Sequence, residues 1–501
     1  MADVATAFGL VFQPYVLSVI FLSAIFGLIV GAIPGLTATM ATALLVPVTF
    51  FMPPVPAIAS IVTATAMAIF SGDIPGALMR IPGTPASAAY TDESYAMTRK
   101  GQAETVLGAD LVFSVIGGLF GTVVLVVSAP SLAEIALKFS SFEYFWLVLL
   151  GLSSAVFITT ADPLKGVVSL LMGLLISAIG LDNPAAYPRF TFGSIELLGS
   201  IGLIPMMIGM FAVSEILRYA IEHQAEAQVF QKQIGNVFRG MWGLIKTHPL
   251  QTLRGSVLGT AIGALPGAGA DIAAWMSYAM SKKFSKTPEK FGTGHIEGII
   301  EAGAANNSAL AGAWIPALVF GIPGDSITAI VIGVLYIKGM NPGPTIFIDN
   351  PANIYAVFIV FFLANLLMIP FGWAAIKAAK RILDIPRNIL MPVILLFCIV
   401  GAFAINNTLF AVTIILAFGL AGYFMEENGY PVAPAILGVI LGAMLEENFI
   451  SSMIKSDGRL IGFFERPIAA GLGILTLVVW FWPLFARLLA MRGGGRPGSQ
   501  A

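Results

Sequence analysis

Two stretches of this chain read almost alike, and both carry helix-breaking Pro-Gly pairs inside apolar sequence. Gly27-x-x-x-Gly31-x-x-Pro34-Gly35 returns as Gly259-x-x-x-Gly263-x-x-Pro266-Gly267. Ile74-Pro75, followed by Ile81-Pro82-Gly83, returns as Ile315-Pro316, followed by Ile322-Pro323-Gly324. The first pair is offset by 232 positions and the second by 241. One long unit is therefore present twice, with a small insertion in the second copy. Broken helices at matching places in two halves are a sequence pointer to the binding site of a secondary transporter.

Composition decides the solvent. Of 501 residues, 57% are hydrophobic and only 11% charged. A soluble protein of this size needs more charge to cover its surface. Apolar runs long enough to cross a hydrocarbon core recur from end to end. The fold class expected is an all-α polytopic membrane protein, with two inverted-topology repeats, broken helices and re-entrant hairpins. A β-barrel would show short alternating segments instead. Net charge is −1, so no basic field invites nucleic acid. The single Cys398 has no disulfide partner and reads as a packing residue. With only His223, His248 and His295, no transition-metal site is expected, and no cofactor.

Apolar segments fall near 10–32, 36–51, 56–79, 104–128, 144–160, 164–181 and 196–217 in the first half. The second half has them near 255–281, 296–334, 353–376, 388–404, 408–425, 432–448 and 468–490. Roughly 12 to 15 membrane segments are expected, several of them re-entrant. The expected organisation is a first repeat over 1–217, a polar cytoplasmic linker over 218–254, a second repeat over 255–490 and a tail over 491–501.

Lys and Arg placement sets the orientation. The first basic residue is Arg80, so no signal peptide is expected and the N-terminus is expected outside. The C-terminus is expected in the cytoplasm. In copy one the 52–56 loop is uncharged, whereas the later loop carries Arg99 and Lys100. In copy two the earlier loop carries Lys282, Lys283, Lys286 and Lys290, and the later one only Lys338. Equivalent loops thus prefer opposite sides, which predicts inverted copies.

A helix beginning after a Pro-Gly break offers unpaired N–H groups and a partial positive charge, a ready anion site. In copy one this end is Pro34, Gly35, Leu36, Thr37, Ala38 and Thr39; in copy two it is Pro266, Gly267, Ala268, Gly269, Ala270 and Asp271. The competing explanation is close helix packing through small residues. The second breaks make hairpin tips, Gly83-Thr84 in one copy and Gly324-Asp325-Ser326 in the other. Gly83, Thr84 and Gly324 are expected at the substrate. Thr39, Asp271, Asn306, Asn307, Asp325 and Ser326 supply oxygens suited to a coupling cation such as Na⁺. Further ionisable residues in apolar surroundings, Asp73, Arg80, Glu297 and Glu301, are functional candidates by their cost alone. Arg80 reads as snorkelling to the interface. There is no Gly-x-x-x-x-Gly-Lys-[Ser/Thr] run, so no ATP hydrolysis by that machinery is expected.

The runs Gly31-Ala-Ile-Pro-Gly-Leu-Thr-Ala38, Ile81-Pro-Gly-Thr-Pro85, Gly263-Ala-Leu-Pro-Gly-Ala-Gly-Ala-Asp271, Glu301-Ala-Gly-Ala-Ala-Asn-Asn307 and Gly321-Ile-Pro-Gly-Asp325 carry a resemblance. Taken jointly, they resemble the large membrane subunit of the tripartite tricarboxylate transporters, the TctA type, over nearly the whole chain. The resemblance implies a secondary transporter of the bacterial inner membrane. It implies work with a small membrane subunit of about four helices and a periplasmic substrate-binding protein. It also implies import of di- or tricarboxylate anions, coupled to Na⁺ or H⁺. Two other readings are an uncoupled organic-anion channel and an intramembrane hydrolase pairing Asp73 with Asp325.

Overall fold

The computed structural model describes residues 2–159, 162–181, 187–221, 234–383 and 387–492. Regular structure among these is helical, and the one sheet-like contact is an isolated bridge between Gly180 and Arg189. The tail expected over 491–501 lies outside the described residues from 493 onward, as do residues 222–233 of the expected linker, with His223 among them. Of that linker, Ser214–Ile221 and Met241–Thr247 are helical, and Arg254 belongs to the helix Pro249–Gly263.

Among the described residues, seven helices are long and apolar enough to cross a membrane, among them Pro14–Ala32, Ala103–Ala136 and Pro351–Leu383. Other expected segments are shortened or divided by breaks. Ala38–Phe50 and Ser326–Ile337 are apolar but have only 13 and 12 residues. At 1.5 Å per residue such helices reach about 20 Å, short of a ~30 Å hydrocarbon core. The run expected over 255–281 is interrupted, because Pro249–Gly263 and Gly269–Phe284 are separate helices. Gly267 turns between them at φ +82°, a conformation that costs glycine little. Likewise 296–334 divides into Ile296–Phe320 and Ser326–Ile337 around the Gly321–Asp325 tip.

Two central helices organise the core. In Pro54–Ser71 every residue from Val55 on is buried, and in Ile296–Phe320 so is every one from Gly298 to Val319. Small residues let neighbouring backbones approach them closely. A Cβ on Gly27 would strike the Ala64 carbonyl, and one on Gly259 the Ala305 carbonyl. Gly31 meets Ala68 in the same way, and Gly263 meets Ala309. The hairpin tips dock alike: a Cβ on Gly83 would lie 2.8 Å from the Gly31 oxygen, and one on Gly324 2.7 Å from the Gly263 oxygen. The same close approaches therefore recur at the two sequence offsets. The glycines of the Gly-x-x-x-Gly runs act in packing, while the Pro-Gly pairs beyond them shape a site.

Loop contacts link distant parts of the chain. Lys100 Nζ donates to the Thr293 carbonyl at 2.6 Å. Lys338 Nζ donates to the carbonyls of Phe50 and Met52 at 2.9 and 2.7 Å. Glu93 is fully buried. It accepts from Tyr278 Oη at 2.8 Å, from Gly294 and His295 N–H at 2.6 and 2.7 Å, and from Gly292 N–H. The loop after Gly269–Phe284 is thereby tied to the helix Thr91–Arg99. Hydrogen bonds to charged groups contribute about 1.5–3 kcal/mol each. Glu93→Ala is expected to cost on the order of 3 kcal/mol or more and to speed amide exchange at Gly292–His295. Hydrogen–deuterium exchange on the detergent-solubilised protein checks this; unchanged protection would mean the loop is held otherwise.

Candidate functional site

The two Pro-Gly breaks and the two hairpin tips converge on one cavity of about 500 Å³, within the range of small-molecule sites. Thr37, Ala38 and Thr39 line it from copy one, and Gly267, Ala268, Gly269, Ala270 and Asp271 from copy two. Thr84, Asp325 and Ser326 contribute from the tips, and Asn306 from the buried helix Ile296–Phe320.

Local chemistry fixes each element. In copy one, Gly35 turns at φ +91°, and the helix begins at Ala38 with Thr37 as its cap. Thr37 Oγ1 accepts from Met40 N–H at 3.2 Å, so the N–H groups of Ala38 and Thr39 are the ones without a helical acceptor. This shifts the expected anion site along the chain. Leu36 is fully buried and its N–H is spent on the Ile33 carbonyl. In copy two, Ala268 N–H bonds to the Leu265 carbonyl, and no side chain caps the helix. The open donors there are Gly269, Ala270 and Asp271.

The tips are built as twins. Thr84 N–H donates to Ser87 Oγ and Ser87 N–H to Thr84 Oγ1, both at 3.1 Å. Asp325 N–H donates to Thr328 Oγ1 at 2.9 Å, and Thr328 N–H to Asp325 Oδ1 at 2.7 Å. Each tip thus closes with a reciprocal cap. Asp325 keeps Oδ2 outside its cap, whereas the Thr84 hydroxyl is engaged within its own tip. Asp271 accepts from the Ala86 N–H, and Trp275 Nε1 reaches the Pro85 carbonyl at 3.2 Å. The copy-one tip therefore rests on the copy-two helix start.

Other expected residues lie elsewhere. Pro34, Gly35, Leu36, Pro266, Gly83 and Gly324 shape the turns and tips behind the lining, not the cavity surface. Asn307 points away from Asn306: its Nδ2 lies 3.4 Å from the Ala66 carbonyl and 3.8 Å from Met368 Sδ. Glu301 is fully buried against Arg254 in a two-pronged ion pair at 2.6 and 2.5 Å, which satisfies both charges. Arg80 is exposed and pairs with Asp92 at 2.8 Å, as a residue at an interface would. Asp73 and Asp325, paired in the hydrolase reading, have separate partners, Tyr90 and Thr328.

Several lining residues were not singled out in the sequence. Glu215, Arg218 and Glu426 close one side of the cavity. Arg218 bonds Glu215 at 2.9 Å and also pairs with Glu426. Only Arg218 falls in the expected linker, and Glu215 and Glu426 lie at the ends of apolar segments, where charge carries no signal of a site. Tyr90 stands behind Asn306; Asp110, the one charged residue in the apolar run 105–133, carries an intramembrane-charge signal of its own.

Residues 17–437 match the Tripartite tricarboxylate transporter TctA family. An Agrobacterium vitis relative, described as an uncharacterized 52.8 kDa protein in the TAR-I ttuC' 3'region, is 33% identical over 467 residues, 92% of each chain. A second, an uncharacterized protein in the TAR-II ttuC' 3'region of the same organism, is 36% identical over 228 residues, 45% of this chain and 94% of its own. No solved structure matches the chain. The family is one of transporters and not of enzymes. With its apolar helices and this match across most of its length, the chain is a multi-pass membrane component of a tripartite system and belongs to the tripartite tricarboxylate transporter TctA family.

Proposed function

We propose that the protein is a secondary importer of organic carboxylate anions, of the di- or tricarboxylate class, driven by a Na⁺ or H⁺ gradient. The observation that carries this reading is the convergence of two uncapped or partly capped helix starts and two hairpin tips on one cavity. N–H groups of Ala38, Thr39, Gly269 and Ala270 grip the anion. Oxygens of Asp271, Asp325, Ser326 and Asn306 hold the cation. The cavity carries the carboxylates of Asp271, Asp325, Glu215 and Glu426 against the guanidinium of Arg218. An anion enters such a field more readily once a cation is bound, which links the two. A periplasmic binding protein delivers the substrate, and a small membrane subunit completes the complex in the bacterial inner membrane.

The two copies, 1–217 and 255–490 joined by 218–254, are read as inverted repeats with the N-terminus periplasmic and the C-terminus cytoplasmic. Three contacts support this. The Lys100 region lies against Thr293, and Lys338 lies against Phe50 and Met52. Each contact joins loops that are not equivalent in the repeat, the pattern an in-plane two-fold produces. Asn307 meets Ala66, its own counterpart 241 positions earlier, as residues near a two-fold axis must. Cysteines at Lys100 and Ser285 are therefore expected to label from the cytoplasm, and one at Pro54 from outside. Labelling of Lys100 and Ser285 positions from opposite sides would sink the inversion.

Transport itself is tested by reconstitution with the partner subunits, a panel of carboxylates and each ion gradient imposed alone. Accumulation that follows one gradient is the expected result. Flux indifferent to both gradients would favour the channel.

A further inference from the structure

Behind the cavity lies a polar cluster that neither the anion site nor the tips use. Asp73, at the start of the helix Asp73–Met79, is 2% exposed, and Asp110, in the helix Ala103–Ala136, is 1% exposed. Between Asp73 and the cavity stands Tyr90, also buried. Its hydroxyl donates to Asp73 Oδ1 at 2.5 Å and accepts from Asn306 Nδ2 at 3.3 Å. Asn306 in turn lines the cavity. The two carboxylates lie within electrostatic reach of each other and of Tyr90. Their remaining polar atoms are orphaned: Asp73 Oδ2, both Asp110 oxygens and Asn306 Oδ1 have no hydrogen-bond partner.

Among the described residues, no basic side chain bonds or ion-pairs with either carboxylate. Several charged groups on the elements packed around the cluster are engaged elsewhere. Arg80 pairs with Asp92, Glu93 holds the Gly292–His295 loop, and Arg254 pairs with Glu301. Glu104 accepts from Gly235 N–H, and Lys377 donates to the Ile234 carbonyl. Two uncompensated anions in an apolar interior are untenable, and such groups take up a positive charge. A metal cation needs a shell of oxygens, and among the described residues no three His, Cys, Asp or Glu side chains gather to hold one. A proton needs no shell.

Building on the transport reading above, we infer that Asp73, with Asp110 behind it, is the site that takes up and releases the coupling proton. On loading, an O–H bond of a hydronium ion in the cavity breaks and an O–H bond forms on the Asp73 carboxylate. The proton passes Asn306 and is relayed through the Tyr90 hydroxyl, which gives its own proton to Oδ1 and is reprotonated from the cavity side. The pair of carboxylates then carries less negative charge, and the cavity accepts the anion. Release on the other side reverses both bonds.

The test uses the full transporter in liposomes loaded with a pH-sensitive dye. Wild type is expected to acidify the lumen as carboxylate enters. Asp73→Asn is expected to retain carboxylate exchange across the membrane while proton-driven accumulation falls to the level of empty liposomes. Tyr90→Phe, which keeps the ring and loses the relay, is expected to accumulate more slowly. Proton-driven accumulation left intact in Asp73→Asn would overturn the proposal. So would wild-type accumulation that follows Na⁺ with no proton movement. A wild type that moves no carboxylate under any gradient would instead refute the transport reading. Infrared difference spectra then decide protonation independently, and also if Asp73→Asn fails to insert. A protonated-carboxyl band that shifts in Tyr90→Phe supports the assignment, and the absence of such a band in wild type overturns it.

Discussion

Gly269→Val is expected to abolish carboxylate uptake while the protein still inserts and purifies as wild type does. Gly269 opens the copy-two helix at φ +60°, and a Cβ there would lie 2.7 Å from the Asp325 Cβ. The left-handed conformation costs a residue with a side chain roughly 1–2 kcal/mol, and a β-branched residue is worse placed still. The larger effect is on binding. The branched side chain stands where the substrate must approach the N–H groups of Gly269 and Ala270. Losing two hydrogen bonds to a charged group removes roughly 3–6 kcal/mol, and each 1.4 kcal/mol is about tenfold in affinity. Uptake should fall by at least about two orders of magnitude on that scale. Gly267→Val, at φ +82°, and Gly35→Val, at φ +91°, should fall in the same direction by distorting the turns that aim the helix ends. Gly303 supplies the control, since a Cβ there meets nothing within 4 Å. Radiolabelled uptake by Gly303→Ala should stay near normal. Near-normal uptake by Gly269→Val would reduce the Pro-Gly motifs to packing devices.

The parts of this site that were legible in the sequence are those written in backbone chemistry. Pro34-Gly35 and Pro266-Gly267 announce breaks because proline cannot donate and glycine turns freely, whatever the tertiary context. Their recurrence at matching offsets marks four elements of one site. What the sequence did not show depends on where helices meet. It could not reveal that Thr37 caps its helix and so moves the open donors from Gly35 and Leu36 to Ala38 and Thr39. Asn306 and Asn307 are adjacent in sequence, but successive helical residues point about a quarter turn apart. One reaches the cavity and the other the Ala66 carbonyl. Glu301 reads in the sequence as an intramembrane charge because Arg254, its partner 47 positions away, falls in the polar linker. Tyr90 carried no signal, since its role comes entirely from the neighbours that folding gives it.

Asp325→Asn separates the charge of the copy-two tip from its architecture. Asn caps a helix about as well as Asp, so the bond from Thr328 N–H to Oδ1 and the tip itself are expected to persist. What is lost is one of four carboxylates at a cavity whose lining offers Arg218 as its guanidinium. The field that draws a cation to the cavity weakens, both for a cation seated beside the substrate and for a proton travelling past Asn306. The variant should therefore need more of the coupling ion for half-maximal uptake. A coupling energy of about 1–3 kcal/mol corresponds to roughly 5–150-fold, and the shift in ion dependence is expected within that span. At saturating ion, substrate affinity should stay near wild type, because the N–H donors at Ala38, Thr39, Gly269 and Ala270 are untouched. Linkage makes the two bindings reciprocal, so substrate affinity must fall when the ion is scarce. Asn306→Ala tests the same cation by removing a neutral oxygen, and should shift ion dependence with the tip charge intact. The measurement is initial uptake against Na⁺ concentration at fixed pH and against pH at fixed Na⁺, at several substrate concentrations. Unchanged ion dependence in both Asp325→Asn and Asn306→Ala would remove these residues from the coupling machinery and leave the Asp325 carboxylate as a purely structural cap.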